Sequence, residues 1–292
     1  MLSKELVRTG VHIPEIGLGT WRYRAGPLPL RRGLDAGARF IDTAESYGTE
    51  PVAAEAIAGG RDRVFLATKV SPDHFRRADL FKALDASLER LRTDHIDLYQ
   101  LHRPNGAIPI AETLGAMEDA VDAGKVRFIG VSNFSLPQLR QAQGAMRRHP
   151  IVSNQVRYNL IDRTIQDHLL PFCQTQGVTI IAYSPLARGF QHIVDCDRQG
   201  ALAKLARLTG RTAVQVALNW CIAQPGVMAI PKGNSTEHVL EACGASDWRL
   251  DAEQIRELEE SILSRHRSGL ETFLRQHMPP VCKTAIQRLL RH

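Results

Sequence analysis

No stretch of the 292-residue chain approaches the roughly 18 consecutive apolar residues that a membrane-spanning helix needs. The opening MLSKELVRTG carries Glu5 and lacks the continuous apolar core of a secretory leader. Together these absences predict a cytoplasmic protein with no membrane partner. The five cysteines, Cys173, Cys196, Cys221, Cys243 and Cys282, are odd in number and widely spaced, with no C-x-x-C pair. That spacing argues against zinc or a redox dithiol and leaves core or surface thiols. No His/Cys/carboxylate cluster has metal-ligand spacing, so no metal is expected. A dinucleotide fingerprint is missing too: GLGT (17–20) is only a glycine-containing strand end. The net charge of +6 would hint at nucleic acid if it were spread along the chain. It is not: residues 264–292 hold Arg265, Arg267, Arg275, Lys283, Arg288 and Arg291 against Glu271 alone, a net +5. With Phe273 as its one aromatic, that tail lacks base-stacking groups, and no nucleic-acid partner is expected.

What the chain does contain is alternation. Short aliphatic runs at 39–42, 64–70, 96–102, 127–133, 152–158, 178–184 and 226–232 read as buried parallel strands. Amphipathic stretches separate them, notably LFKALDASLERL, where Leu80, Leu84, Leu88 and Leu91 share a face. TLGAMEDAVDAGK is similar, with Gly124 as its stop. Adding IGLGT (16–20) gives eight β units and favours an α/β chain folded as a (β/α)8 TIM barrel over an open sheet. Periodicity alone does not close the barrel. ELVRTGVHIPEIG, turning at Gly10, reads as an N-terminal β-hairpin. Residues 1–263 are expected to form one domain, followed by a basic C-terminal extension over 264–292. Pro279 and Pro280 interrupt that extension, and TAIQRLLRH has the spacing of a short amphipathic helix.

In such a barrel, reactive side chains stand at the C-terminal ends of strands. RFID ends in Asp42 and is followed by Thr43, Glu45 and Tyr47; Lys69 ends the next strand and His102 the one after. Taken singly, each has an ordinary explanation as a cap, a solvated ammonium or a structural histidine. At the ends of consecutive strands they converge on one mouth. A phenol has a pKa near 10, and a neighbouring ammonium lowers it by favouring phenolate. Lys69 is expected to act on Tyr47 in this way, with Asp42 holding Lys69 charged and His102 hydrogen-bonding a substrate oxygen.

GARFIDTAESYGTE (37–50) resembles the first signature segment of the aldo-keto reductases, and further segments agree in order over residues 12–260. The resemblance implies a (β/α)8 barrel whose catalytic tetrad is Asp42, Tyr47, Lys69 and His102. GLGTW implies that Trp21 lines the substrate pocket. GVSNF and NQVRY imply that Ser132, Asn133 and Gln155 hold the nicotinamide carboxamide. AYSPLARG implies that Tyr183 stacks on the nicotinamide while Ser184 and Leu186 approach the pyrophosphate. IPKGNSTEHVLEA is similar to the segment that binds the adenosine 2′-phosphate and adenine, which implies roles for Lys232, Gly233, Asn234, Ser235, His238 and Glu241.

NADPH is therefore the expected cofactor, with NADH as the alternative carrier, because His238 stands where many members carry Arg and Ala242 where Asn is common. Arg103 replaces a frequent Trp; a cation there would favour an acidic or polar substrate, and an outward-pointing, solvated Arg is the alternative of equal weight. Tyr23 adds aromatic surface beside Trp21. The implied activity is reduction of an aldehyde or ketone, with Tyr47 as general acid/base and a small-molecule carbonyl as partner. A few proteins of this fold instead act as cofactor-sensing regulatory subunits that bind a partner protein. The chain is expected to be a monomer or weak homo-oligomer.

Overall fold

The computed structural model describes residues 1–264. The basic extension, including the helical pattern TAIQRLLRH, lies outside the described residues apart from Ser264. The chain opens with an antiparallel hairpin, β1 (Ser3–Leu6) and β2 (Val11–Pro14), with Gly10 at φ +72° in its turn. Eight parallel strands follow: β3 (Leu18–Gly19), β4 (Phe40–Asp42), β5 (Phe65–Val70), β6 (Ile96–Leu101), β7 (Val126–Ser132), β8 (Ile151–Arg157), β9 (Thr179–Tyr183) and β10 (Val227–Ile230). Each pairs with the next in chain order.

Closure runs through the weakest of them. Ile16 bridges Ala229 in parallel, and the amides of Gly17 and Gly19 donate to Ala229 O (2.8 Å) and Pro231 O (2.9 Å). The expected strand over 16–20 is reduced to two residues because the backbone comes too close to its neighbours for side chains. A Cβ on Gly19 would stand 2.6 Å from the carbonyl oxygen of Ile230, and one on Gly17 would stand 2.5 Å from the Phe40 ring.

Helices cover the outside. Arg77–Leu91 buries Leu80, Leu84, Leu88 and Leu91, the stripe expected from the sequence, and ends at Arg92 in left-handed conformation. Ile110–Asp122 stops just before Gly124, at φ +70°. Two helices, Gln191–Val194 and Ala201–Thr209, stand between β9 and the helix Ala213–Ala223, so the last crossover is the most elaborate.

Side chains alternate along each strand, and inside the barrel this produces a layered column. At the N-terminal end Phe40, Phe65, Leu98, Val152, Ile181 and Met228 form an apolar cluster with Leu6 and Ile13 of the hairpin. The hairpin thus floors the barrel, and the Phe40 and Phe65 rings meet edge to face at 5.6 Å. At the rim of this floor the fully buried Glu15 accepts from Ser246 Oγ (2.7 Å) and the guanidinium of Arg249. Among the described residues no helix is long and apolar enough to cross a membrane.

Candidate active site

Two residues further along the same inward columns, the interior turns polar. Asp42 follows Phe40, Lys69 follows Ala67, Gln100 follows Leu98, and Gln155 follows Ser153; all four are buried. Lys69 has no exposed surface, and its ammonium donates to Asp42 Oδ1 (2.6 Å) and to the carbonyl of Thr43 (2.8 Å). The second Asp42 oxygen accepts from Gln155 Nε2 (2.7 Å) and Gln100 Nε2 (3.2 Å). The carboxylate is thereby saturated and the ion pair fixed.

Tyr47 ends a short 3-10 turn, Glu45–Tyr47, which swings back over the strand ends before Gly48. The Lys69 ammonium lies 4.9 Å from the centre of the Tyr47 ring, and the Tyr47 hydroxyl is 3.4 Å from His102 Nε2. The four side chains expected to share the mouth do so. Lys69 acts on the phenol in the expected direction, but burial outweighs it. Burial raises the Tyr47 pKa, the Lys69 charge pulls it down and Asp42 pushes it up, so that the phenol ends above its ordinary value. Lys69 is held above its own ordinary value: burial alone would lower it, but the Asp42 carboxylate and Tyr47 more than offset that cost. Burial, reinforced by the charges of Lys69 and Arg103, pushes His102 down to about 3. At neutral pH the site holds a neutral phenol, a charged lysine and a neutral imidazole.

A cavity of about 540 Å³ opens above this group, lined among others by Trp21, Asp42, Tyr47, His102, Ser132, Asn133, Gln155, Tyr183, Ser184, Leu186 and Lys232. Tyr183 donates to Asn133 Oδ1 (2.9 Å), Asn133 Nδ2 to Ser132 Oγ (3.0 Å) and to the His102 carbonyl (3.1 Å), and Ser132 Oγ to the Gln155 carbonyl (2.9 Å). The backbone is strained where it meets the cavity. Arg22, Asn133, Ser184 and Arg188, which line it, all have φ between +49° and +65°, a region non-glycine residues rarely adopt.

Beyond Lys232, Ser235 caps the helix Thr236–Cys243, its Oγ accepting from the His238 amide (3.2 Å). Gly233 packs against Val239, and Asn234 Oδ1 accepts from the Arg24 amide (3.2 Å). His238 is exposed on the first turn, and the Glu241 carbonyl accepts from Gln215 Nε2 (3.1 Å). These five residues flank the cavity on the β10 side without lining it.

Tyr23 and Arg103 also stand outside the lining. The Tyr23 hydroxyl donates to the Gly26 carbonyl (2.8 Å), and Arg103 is exposed, although its charge reaches His102. Sequence reasoning missed Gln100, Arg22 and Arg188. Gln100 was legible in principle: it lies two residues before His102 in an apolar run and so shares its face. The two arginines stack on the Trp21 ring, at 4.5 and 4.7 Å, from loops that only the fold brings together.

Residues 15–263 match the model of the aldo/keto reductase family. The methylglyoxal reductase YeaE of Escherichia coli (strain K12) is 35% identical over 261 residues, covering 86% of this chain and 92% of that protein. Among solved structures, the thermostable aldo-keto reductase Tm1743, in complex with the inhibitor epalrestat, is 41% identical with a TM-score of 0.83, covering 89% of this chain and 99% of its own. An aldo-keto reductase from Klebsiella pneumoniae in complex with NADPH is 38% identical with a TM-score of 0.83, covering 91% of this chain and 98% of its own. With the closed eight-stranded barrel and the strand-end residues in their expected order, the chain is an oxidoreductase and belongs to the aldo/keto reductase family.

Proposed function

We propose that the protein reduces an aldehyde or ketone to the alcohol with NADPH, and that Tyr47 is the proton donor. The observation that carries this reading is the buried arrangement of Asp42, Lys69, Tyr47 and His102 at the floor of one cavity. The cavity also suits an elongated cofactor with an amide at one end and phosphates at the other. Ser132, Asn133 and Gln155 offer amide and hydroxyl partners, and Tyr183 offers a ring face. Lys232 and the Ser235-capped helix start offer an ammonium and free backbone amides for a phosphate. His238 gives a weaker phosphate contact than a guanidinium fork, so discrimination against NADH is modest. Bound NADPH supplies the hydride.

The chain's own residues manage the oxygen. Tyr47 donates its phenolic proton to the carbonyl oxygen as charge develops there, and the Lys69 ammonium stabilises the phenolate left behind. Asp42 keeps Lys69 charged in a site without water, and Gln100 and Gln155 keep Asp42 in place. Neutral His102 hydrogen-bonds the same oxygen from the side. A phenol held above its ordinary pKa keeps its proton at neutral pH and is available as the donor. Trp21 contributes an apolar wall, and Arg103 acts on the site through its charge on His102. Methylglyoxal, named for the Escherichia coli relative, belongs in the first substrate panel.

Fluorescence titration with NADPH and NADH, followed by a carbonyl panel, tests the assignment. Tyr47→Phe should lower turnover by about 10²- to 10⁴-fold while the Kd for NADPH changes less than about twofold. Full activity of Tyr47→Phe on several carbonyls would remove Tyr47 from the role, and NADPH binding without turnover of any carbonyl by the wild type would favour a cofactor-sensing regulatory subunit.

A further inference from the structure

The turn that carries Tyr47 aims one side chain at the loop after β5 and the next two at His102. Glu45 Oε1 accepts from the Ser71 amide and faces His74 Nδ1 (3.0 Å), which ties the turn to the loop after β5. Tyr47 faces His102 Nε2, and Ser46 Oγ lies 3.4 Å from His102 Nδ1. One turn therefore meets both ring nitrogens of the same histidine. The His102 ring stands edge-on to Tyr47, with centres 5.3 Å apart and planes at 76°, while its carbonyl is held by Asn133 Nδ2.

A neutral imidazole carries one N–H, so the two contacts have opposite polarity, and the choice of tautomer has a chemical consequence. With the proton on Nδ1, that N–H points at Ser46 Oγ and Nε2 presents a lone pair. The Tyr47 hydroxyl then spends its proton on Nε2, and an incoming carbonyl oxygen meets a lone pair. With the proton on Nε2, both Nε2–H and Tyr47 O–H are free to point at the carbonyl oxygen, and Nδ1 needs a donor. Among the described residues, only the hydroxyl of Ser46 faces it.

We propose that Ser46 is a positioning residue: its hydroxyl donates to Nδ1 of His102 and holds the imidazole in the tautomer whose Nε2–H faces the reacting oxygen. Glu45 supports it by fixing the turn at its other end. At 3.4 Å the contact is long for a hydrogen bond, and it is expected to shorten when an oxygen engages Nε2. The choice of tautomer rests on the reading of function above, whereas the contact of Ser46 Oγ with Nδ1 does not.

The test uses the intact chain with histidine labelled in 15N and 13C, the His102 signals being assigned by their loss in His102→Asn. Wild type should show protonated Nε2 and bare Nδ1; Ser46→Ala should shift His102 towards a mixture of tautomers, and Ser46→Thr should restore the wild-type pattern. In parallel, Ser46→Ala should lower kcat roughly fivefold to tenfold, the worth of about one hydrogen bond, with KM, the Kd for NADPH and Tm little changed. Protonated Nδ1 in the wild type, or an unchanged tautomer in Ser46→Ala, overturns the proposal. If the tautomer shifts as expected but the wild type reduces no carbonyl, the activity assignment fails while the positioning role stands.

Discussion

The floor and the mouth of this barrel are built by the same inward-facing columns, two residues apart on β4 and β6 and four on β5, yet they are opposite in chemistry. The floor sets Phe40, Phe65, Leu98 and Met228 against Leu6 and Ile13 of the hairpin. The mouth sets Asp42, Lys69, Gln100 and Gln155 in equally complete burial. Apolar burial stabilises in proportion to area removed from water, whereas a buried ion pair rarely outweighs the desolvation of its two charges. The two layers divide the labour: the floor holds the barrel closed, and the mouth spends stability to keep an ammonium dry beside a phenol.

Breaking the ion pair should produce the largest effect. Lys69→Met leaves Asp42 buried without its cation, and should cost about 3–5 kcal/mol of stability by denaturant unfolding, with turnover reduced by at least about 100-fold. Adding Asp42→Asn should restore most of the stability and none of the turnover, because the pair then disappears as a unit. If the double variant stays as unstable as the single one, the pair is structural and the division between the layers is false.

At the floor the effect should fall on stability alone. Phe40→Ala removes a ring that contacts Phe65 and closes against Gly17, and should cost about 3–5 kcal/mol. Turnover per folded molecule, measured well below Tm, should stay within about twofold of wild type, since Phe40 touches no group that handles the proton. A large loss of kcat in soluble, folded Phe40→Ala would mean that the floor transmits its packing to Asp42, two residues away.

The same contrast explains what the sequence disclosed. Strands β4 to β10 were legible as apolar runs because both faces are buried, and the helix Arg77–Leu91 because its leucines keep a helical period. The tetrad could be read because each member ends a strand. Barrel closure could not, since it rests on backbone bonds of Gly17 and Gly19 to residues some 210 positions away. Nor could the rise in the Tyr47 pKa: spacing reveals that an ammonium is near, but burial, which outweighs it, is a property of the assembled mouth. The pairing of Arg22 and Arg188 on Trp21 needed the loops after β3 and β9 to meet across the end of β10.

Acid should separate the layers by the smallest but most specific margin. His102 is pushed down to about 3 in the fold, against about 6.5 for an unperturbed histidine. Between those values the unfolded chain binds a proton that the folded chain refuses. The contribution of His102 to stability therefore rises with pH through this window and is lost as pH falls from about 6.5 towards 3. Urea unfolding of the wild type at pH 7, 6 and 5, compared with His102→Gln, should show a shallower loss in the variant, by at most about one proton of slope. Identical slopes would mean that His102 takes up its proton in the folded protein, and the neutral imidazole on which the geometry of the mouth depends would be wrong. At the alkaline end the sign reverses for Tyr47. Its raised pKa keeps the phenol protonated through the neutral and mildly alkaline range, so reductive turnover should show no loss from Tyr47 ionisation across pH 6–9.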